Sequence, residues 1–129
     1  MKGYLLDTHT FLWLATDDPR LSQHVREVFL KASSVLYFSA ASMWEMAIKA
    51  SRKKLSLPTS VAAFASRQMV ANGIHELPIE KRHACDVETL PWRHTDPFDR
   101  LLAAQALSET LVLLSADGIF DDYGVLREW

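Results

Sequence analysis

The sequence predicts a three-layer α/β/α domain around a central, mainly parallel sheet of four or five strands, and three observations carry that expectation. Short runs, "GYLL" (Gly3 to Leu6), "VLYF" (Val35 to Phe38) and "LVLL" (Leu111 to Leu114), are apolar on consecutive positions. Strands covered on both faces read this way, whereas a sheet with one wet face alternates with period two. Longer amphipathic segments separate these runs, the strand-helix alternation that builds a parallel sheet. Finally, no repeat, low-complexity tract or Gly/Ser-rich linker interrupts residues 1–129. The chain therefore reads as one domain of a length suited to one core.

After the first strand, Leu21, Val25, Val28, Phe29 and Ala32 recur at helical spacing, and Asp18-Pro19 supplies a cap and first turn. A second helix is expected from about Ala40 to Lys53, with Met43, Trp44, Ala47 and Ile48 on its buried stripe and a basic exit at Lys49, Arg52, Lys53 and Lys54. Val61, Phe64, Ala65 and Met69 mark a third, stopped at Gly73. "HELPI" is a short edge strand, since Pro78 excludes a central one. Glu80 to Leu90 is weakly helical. Asp96 as N-cap and Pro97 at the first helical position open a helix so rich in leucine and alanine that most of its circumference must be buried. A last strand is expected near Val125-Leu126.

Composition excludes some classes. The net charge of -2 is not that of a strongly basic nucleic-acid binder, although setting aside the four candidate ligands discussed next moves the balance to +2. The single cysteine, Cys85, allows no internal disulfide, and the start reaches Asp7 before a secretory apolar region develops. A reduced, cytoplasmic protein is expected. No apolar run approaches the roughly 20 residues of a membrane-spanning helix, so no membrane partner is expected.

In open parallel sheets the carboxyl ends of strands and the amino ends of the crossover helices meet at one edge, where ligands bind. Asp7 ends the first strand, Glu45 lies in the first turns after the second, Asp99 opens the buried helix, and Asp117 follows "LVLLSA". Four acids distant in sequence thus share one rim. Clustered carboxylates repel one another, and hard divalent cations relieve that repulsion. An all-oxygen set points to Mg²⁺ or Mn²⁺. Zinc would want histidine or thiolate, and His9, His94 and Cys85 lack a zinc-motif spacing; His9 beside Asp7 is a minor candidate.

Each acid taken alone has a structural explanation. Asp96 and Asp99 resemble a capping box around Pro97, Ser42 and Glu45 fit S-x-x-E, Asp7-Thr8 fits an Asx turn, and "SADG" an ordinary turn. What capping does not explain is their shared rim. The basic run Lys49 to Lys54 reads mainly as a solvated helix exit favoured by the helix dipole. Lys49, one turn after Glu45, and Arg100, beside Asp99, are the expected phosphate contacts. Among the aromatics, Trp44 and Phe98 are expected in the core, while Trp13 and Trp92 are open to either packing or base stacking.

These blocks resemble the PIN-domain ribonucleases, specifically VapC-type toxins of bacterial toxin-antitoxin pairs. "LLDTHTFLWL" is similar to the family's opening strand and first acid, and "SAASMWEMAIKASRKKLSLP" to its second-acid helix with W-E-x-x-x-K. "HTDPFDRLLAAQA" and "LLSADGIFDDYGV" resemble its third and fourth blocks, so the resemblance spans nearly the whole chain. Ser115 stands where the family commonly has threonine, and Lys53 where a glycine often precedes Lys-Leu.

The resemblance implies metal-assisted hydrolysis of RNA phosphodiesters, with Asp7, Glu45, Asp99 and Asp117 as catalytic and metal-binding residues for Mg²⁺ or Mn²⁺. Asp7 and Asp99 are expected to bind directly, and Glu45 or Asp117 through the ion's own waters. Thr8 and Ser115 would fix carboxylate orientation. A small antitoxin protein and a homodimeric partner copy are also implied. One rival is a haloacid-type phosphatase, since "LLDTHT" approaches D-x-D-x-T, but His9 replaces its second aspartate. The other is a catalytically silent PIN-fold module binding RNA or protein.

Overall fold

The computed structural model describes residues 2–129, and its frame is set by the apolar runs. Five strands form: β1 (Lys2–Leu6), β2 (Ser34–Ser39), β3 (Ile74–Leu77), β4 (Val112–Leu114) and β5 (Arg127–Glu128). They make one wholly parallel sheet in the order β3-β2-β1-β4-β5. Six helices surround it: α1 (Thr8–Ala15), α2 (Gln23–Leu30), α3 (Ala40–Ser51), α4 (Val61–Asn72), α5 (Lys81–Asp86) and α6 (Pro97–Glu109).

Consecutive apolar residues serve opposite faces. Leu6 and Leu114 pack with Phe11, Val25, Phe38, Met46 and Phe64 on one side, where the Phe11 and Phe38 rings stack 3.9 Å apart. Leu5 and Leu113 pack with Leu102, Ala103, Ala106 and Phe120 on the other. Leu5, Leu6, Leu113 and Leu114 are wholly buried, as strands sandwiched between helical layers must be. This is the expected three-layer architecture.

Several local expectations need correction. Helix α1 was not foreseen: Asp7 starts it, accepting the Thr10 N–H at 2.8 Å, so "THTFLWLA" is a helix rather than the tail of a turn. Helix α2 is capped by Ser22, not by Asp18-Pro19, and ends before Ala32. The Asp18 carboxylate is instead engaged by Arg20. On α3, Trp44 is 56% exposed and Ala47 also faces solvent, while Ser42 and Glu45 are buried; Ser39, not Ser42, caps the helix. The last strand lies two residues later than expected, although the Leu126 carbonyl accepts from Leu113 N. No described helix is long and apolar enough to cross a membrane.

Candidate metal centre

Because β1 has β2 on one side and β4 on the other, the sheet's direction of winding reverses beside it, the position at which open α/β sheets form a crevice. A cleft of about 110 Å³ lies there, lined by Asp7, Thr8, His9, Glu45, Lys49, Asp96, Asp99, Asp117 and Phe120. It gathers all four expected acids from four separate elements.

Each carboxylate is held differently. Asp7, 6% exposed, uses Oδ1 to cap α1, and the next turn is pinned to the sheet by Thr10 Oγ1 donating to the Leu114 carbonyl at 2.8 Å. Glu45, equally buried, receives Thr8 Oγ1 on Oε1 at 2.6 Å and Lys49 Nζ on Oε2 at 2.8 Å. Asp117 is exposed, and its Oδ1 accepts the Ile119 N–H. Its own N–H donates to the buried Ser115 Oγ at 3.0 Å. Ser115 thus supports the Asp117 backbone from behind and does not line the cleft.

Asp96 caps α6 by accepting from Phe98 N and Asp99 N, with Pro97 in the first turn. That frees the Asp99 carboxylate, whose Oδ2 meets His94 Nε2 at 2.9 Å. Burial first, then repulsion from Asp96, pushes Asp99 up to about 6 despite the opposing hydrogen bond from His94. Sequence reasoning assigned His94 no role, because nothing in the spacing of a loop histidine shows that it folds back onto an acid five residues on.

Arg100 does not point into the cleft. It is 4% exposed, donates to the carbonyls of Pro91, Val87 and Leu90, and lies 4.1 Å over the Trp92 ring. It straps the segment from Val87 to Trp92 to α6 and does not line the cleft, which corrects the expectation for this residue. Of the two expected phosphate contacts, only Lys49 lines the cleft. Trp92 is exposed, Trp13 is half-buried, and Phe98 packs edge-on against Trp44 at 5.0 Å near the surface.

The donor set fits a hard divalent cation. Five carboxylates face one ammonium, Lys49, in a small partly buried space, and burial, with repulsion from Asp96 and Glu45, holds Asp99 above the usual carboxylate range. The cleft gathers the four acids expected to hold it, Asp7, Glu45, Asp99 and Asp117, while the ligand atoms that lie within metal-ligand reach of one another there are those of His94, Asp96 and Asp99. Elsewhere, Glu80, His83 and Glu109 come within metal-ligand reach of one another, but Arg82 already bridges Glu80 and Glu109.

A parallel five-stranded α/β/α sheet with an acid-lined cleft at its strand ends defines the class of molecule. The chain belongs to the PIN-domain family, whose model matches residues 4–126. No curated protein matches it. Among solved structures, it is similar to VapBC2 from Rickettsia felis bound to a DNA fragment from their promoter, at 13% identity and TM-score 0.71, covering 98% of this chain and 97% of that one. DNA-bound VapBC from Salmonella typhimurium gives 22% identity and TM-score 0.70 over 99% and 98%. FitAcB from Neisseria gonorrhoeae gives 17% and 0.63 over 96% and 95%.

Proposed function

We propose that the protein is a metal-dependent endoribonuclease of the VapC type, acting as the toxin of a toxin-antitoxin pair. The observation that carries this reading is the convergence of Asp7, Glu45, Asp99 and Asp117 on one cleft. A bound Mg²⁺ or Mn²⁺ supplies Lewis-acid activation of water and of the phosphoryl oxygens. The chain's own contribution is positioning. Thr8 and Lys49 fix both oxygens of Glu45, Asp7 is locked by its cap to α1, and Ser115 sets the backbone entering Asp117. Lys49, whose side chain is 44% exposed, is placed to meet an incoming phosphate without leaving Glu45.

The pairing with a small antitoxin protein is supported by the nature of the similar structures, which are VapBC and FitAB complexes. A homodimer follows from the family resemblance and is checked by sedimentation of the purified chain.

The direct test incubates end-labelled single-stranded RNA with the protein in Mg²⁺, Mn²⁺ or EDTA, beside Asp7→Asn and Asp99→Asn prepared identically. Cleavage is expected only with metal and wild-type protein, the variants losing at least about 100-fold, as when a main electrostatic contributor is removed. Equal cleavage by all three proteins would sink the reading. Metal binding without cleavage of any RNA would favour the silent PIN-fold module.

A further inference from the structure

A second cavity lies beside the acidic cleft. It measures about 360 Å³, in the range of small-ligand sites, about 300–1,000 Å³. Thr8, His9 and Lys49 line both spaces, so the two share a wall. One side is aromatic. His9 and Trp13 stand one helical turn apart on α1 with ring centroids 5.8 Å apart, and Trp129 braces Trp13 edge-on at 5.7 Å. The Arg20 guanidinium lies 4.8 Å from the Trp13 ring centre and is oriented by Asp18 through contacts of 3.1 and 2.8 Å. The opposite side is the segment after α3, where Leu55 and Leu57 are half-buried and Lys54 is exposed. Among the described residues Lys54 makes no ion pair.

We infer that this cavity is a subsite for one unpaired base of single-stranded RNA adjoining the phosphate at the acidic cleft. The inference rests on the ribonuclease reading and deepens it. A base presents a π-face whatever its identity, and it stacks on aromatic rings and on guanidinium planes of the kind that His9, Trp13 and Arg20 offer. Lys54 and Lys49 place positive charge on the side opposite that wall, where the backbone of the same nucleotide would run. A base held in a duplex cannot enter such a pocket, so the subsite selects single strands. The wall shared with the acidic cleft and the unpaired cation favour RNA over a protein segment as the occupant.

The test uses Asp7→Asn as the non-cleaving background and a fluorescein-labelled single strand of about 12 nucleotides, read by anisotropy. Adding Trp13→Ala should weaken binding about fivefold or more, the scale of one lost stack. Trp13→Phe should restore it to within about twofold. Lys54→Ala should weaken binding and flatten its salt dependence, and a duplex of the same sequence should respond to none of the aromatic changes. Should Trp13→Ala fail to fold, a single abasic site moved along the strand serves with the otherwise unaltered protein: one sensitive position is expected, and uniform insensitivity overturns the subsite. Unchanged affinity in Trp13→Ala and Lys54→Ala overturns it too and hands the cavity to a protein segment. Cleavage by the wild-type chain is scored separately: its absence removes the ribonuclease reading, whereas cleavage with unmoved affinities removes only the subsite.

Discussion

Asp99 folds at a cost that a cation would remove. Its carboxyl sits at about 6 rather than the ordinary 3.8, so the fold favours the protonated form. Its contribution to stability is therefore present below about pH 4 and is lost as pH rises through about 6. With allowance for its partial exposure to solvent, ionised Asp99 costs on the order of 1–2 kcal/mol in the metal-free protein at neutral pH. Asp99→Asn should accordingly raise the metal-free unfolding free energy by about that amount at pH 7.5 and by little at pH 4. Urea denaturation at both pH values checks this, and a neutral or destabilising effect at pH 7.5 contradicts it. Gln105 shows the opposite economy. Wholly buried, it accepts from Ser39 Oγ at 2.5 Å and donates to the Pro78 carbonyl at 3.3 Å. It ties α6, which carries Asp99, to the cap of α3, which carries Glu45. Gln105→Leu strands both partners and should cost about 2–4 kcal/mol, measured by the same denaturation.

Caps decide where the helices of this sheet begin, and each acid's neighbour matters more than the acid itself. Asp96→Ala removes the acceptor for two N–H groups at the start of α6 and should cost about 1 kcal/mol. It should also loosen Asp99, so Mn²⁺ affinity measured by calorimetry should fall; an unchanged affinity would show that Asp99 is held by His94 alone. The Asp96-Pro97 start and the Gly73 stop were legible because each is a local chemical signal: a short acceptor before a proline, and a residue free to adopt the left-handed φ of +63° found there. Helix α1 was not legible. Its eight residues show neither an acid in the first turn nor a clean polar face, and Phe11 is fully buried while Leu12 and Trp13 are only half covered. Tertiary packing against Phe38, not helical periodicity, makes it a helix. Trp44 failed for the converse reason: helical spacing assigned it to the buried stripe, yet that stripe is occupied by Ser42, Glu45 and Met46, of which Glu45 is turned inward to line the cleft.

The fold brings the acids together, and no single segment contains the site. Their common rim was inferable from strand-helix alternation alone, whereas the reversal of strand order beside β1 was not, because sequence does not say on which side of β1 the later strands add. Arg100 shows the same limit: proximity in sequence to Asp99 placed it at the cleft, and three carbonyls on a distant stretch claim it instead. Since the ion would bind only the folded arrangement, Mn²⁺ at about 100 times its Kd should stabilise the protein by about 2.7 kcal/mol. Thermal melts should show the gain in wild type and its loss in Asp7→Asn; equal shifts in both would indicate nonspecific binding. The order β3-β2-β1-β4-β5 also has a temporal meaning. Asp7 emerges from the ribosome early, but β4 and Asp117 follow 110 positions later in the chain, which at synthesis rates of about 5–20 residues per second is roughly 5–20 s. During that interval the nascent chain lacks part of the acidic cleft's lining. The acid cleft is therefore completed only near the end of synthesis, after β4 and Asp117 have joined the sheet.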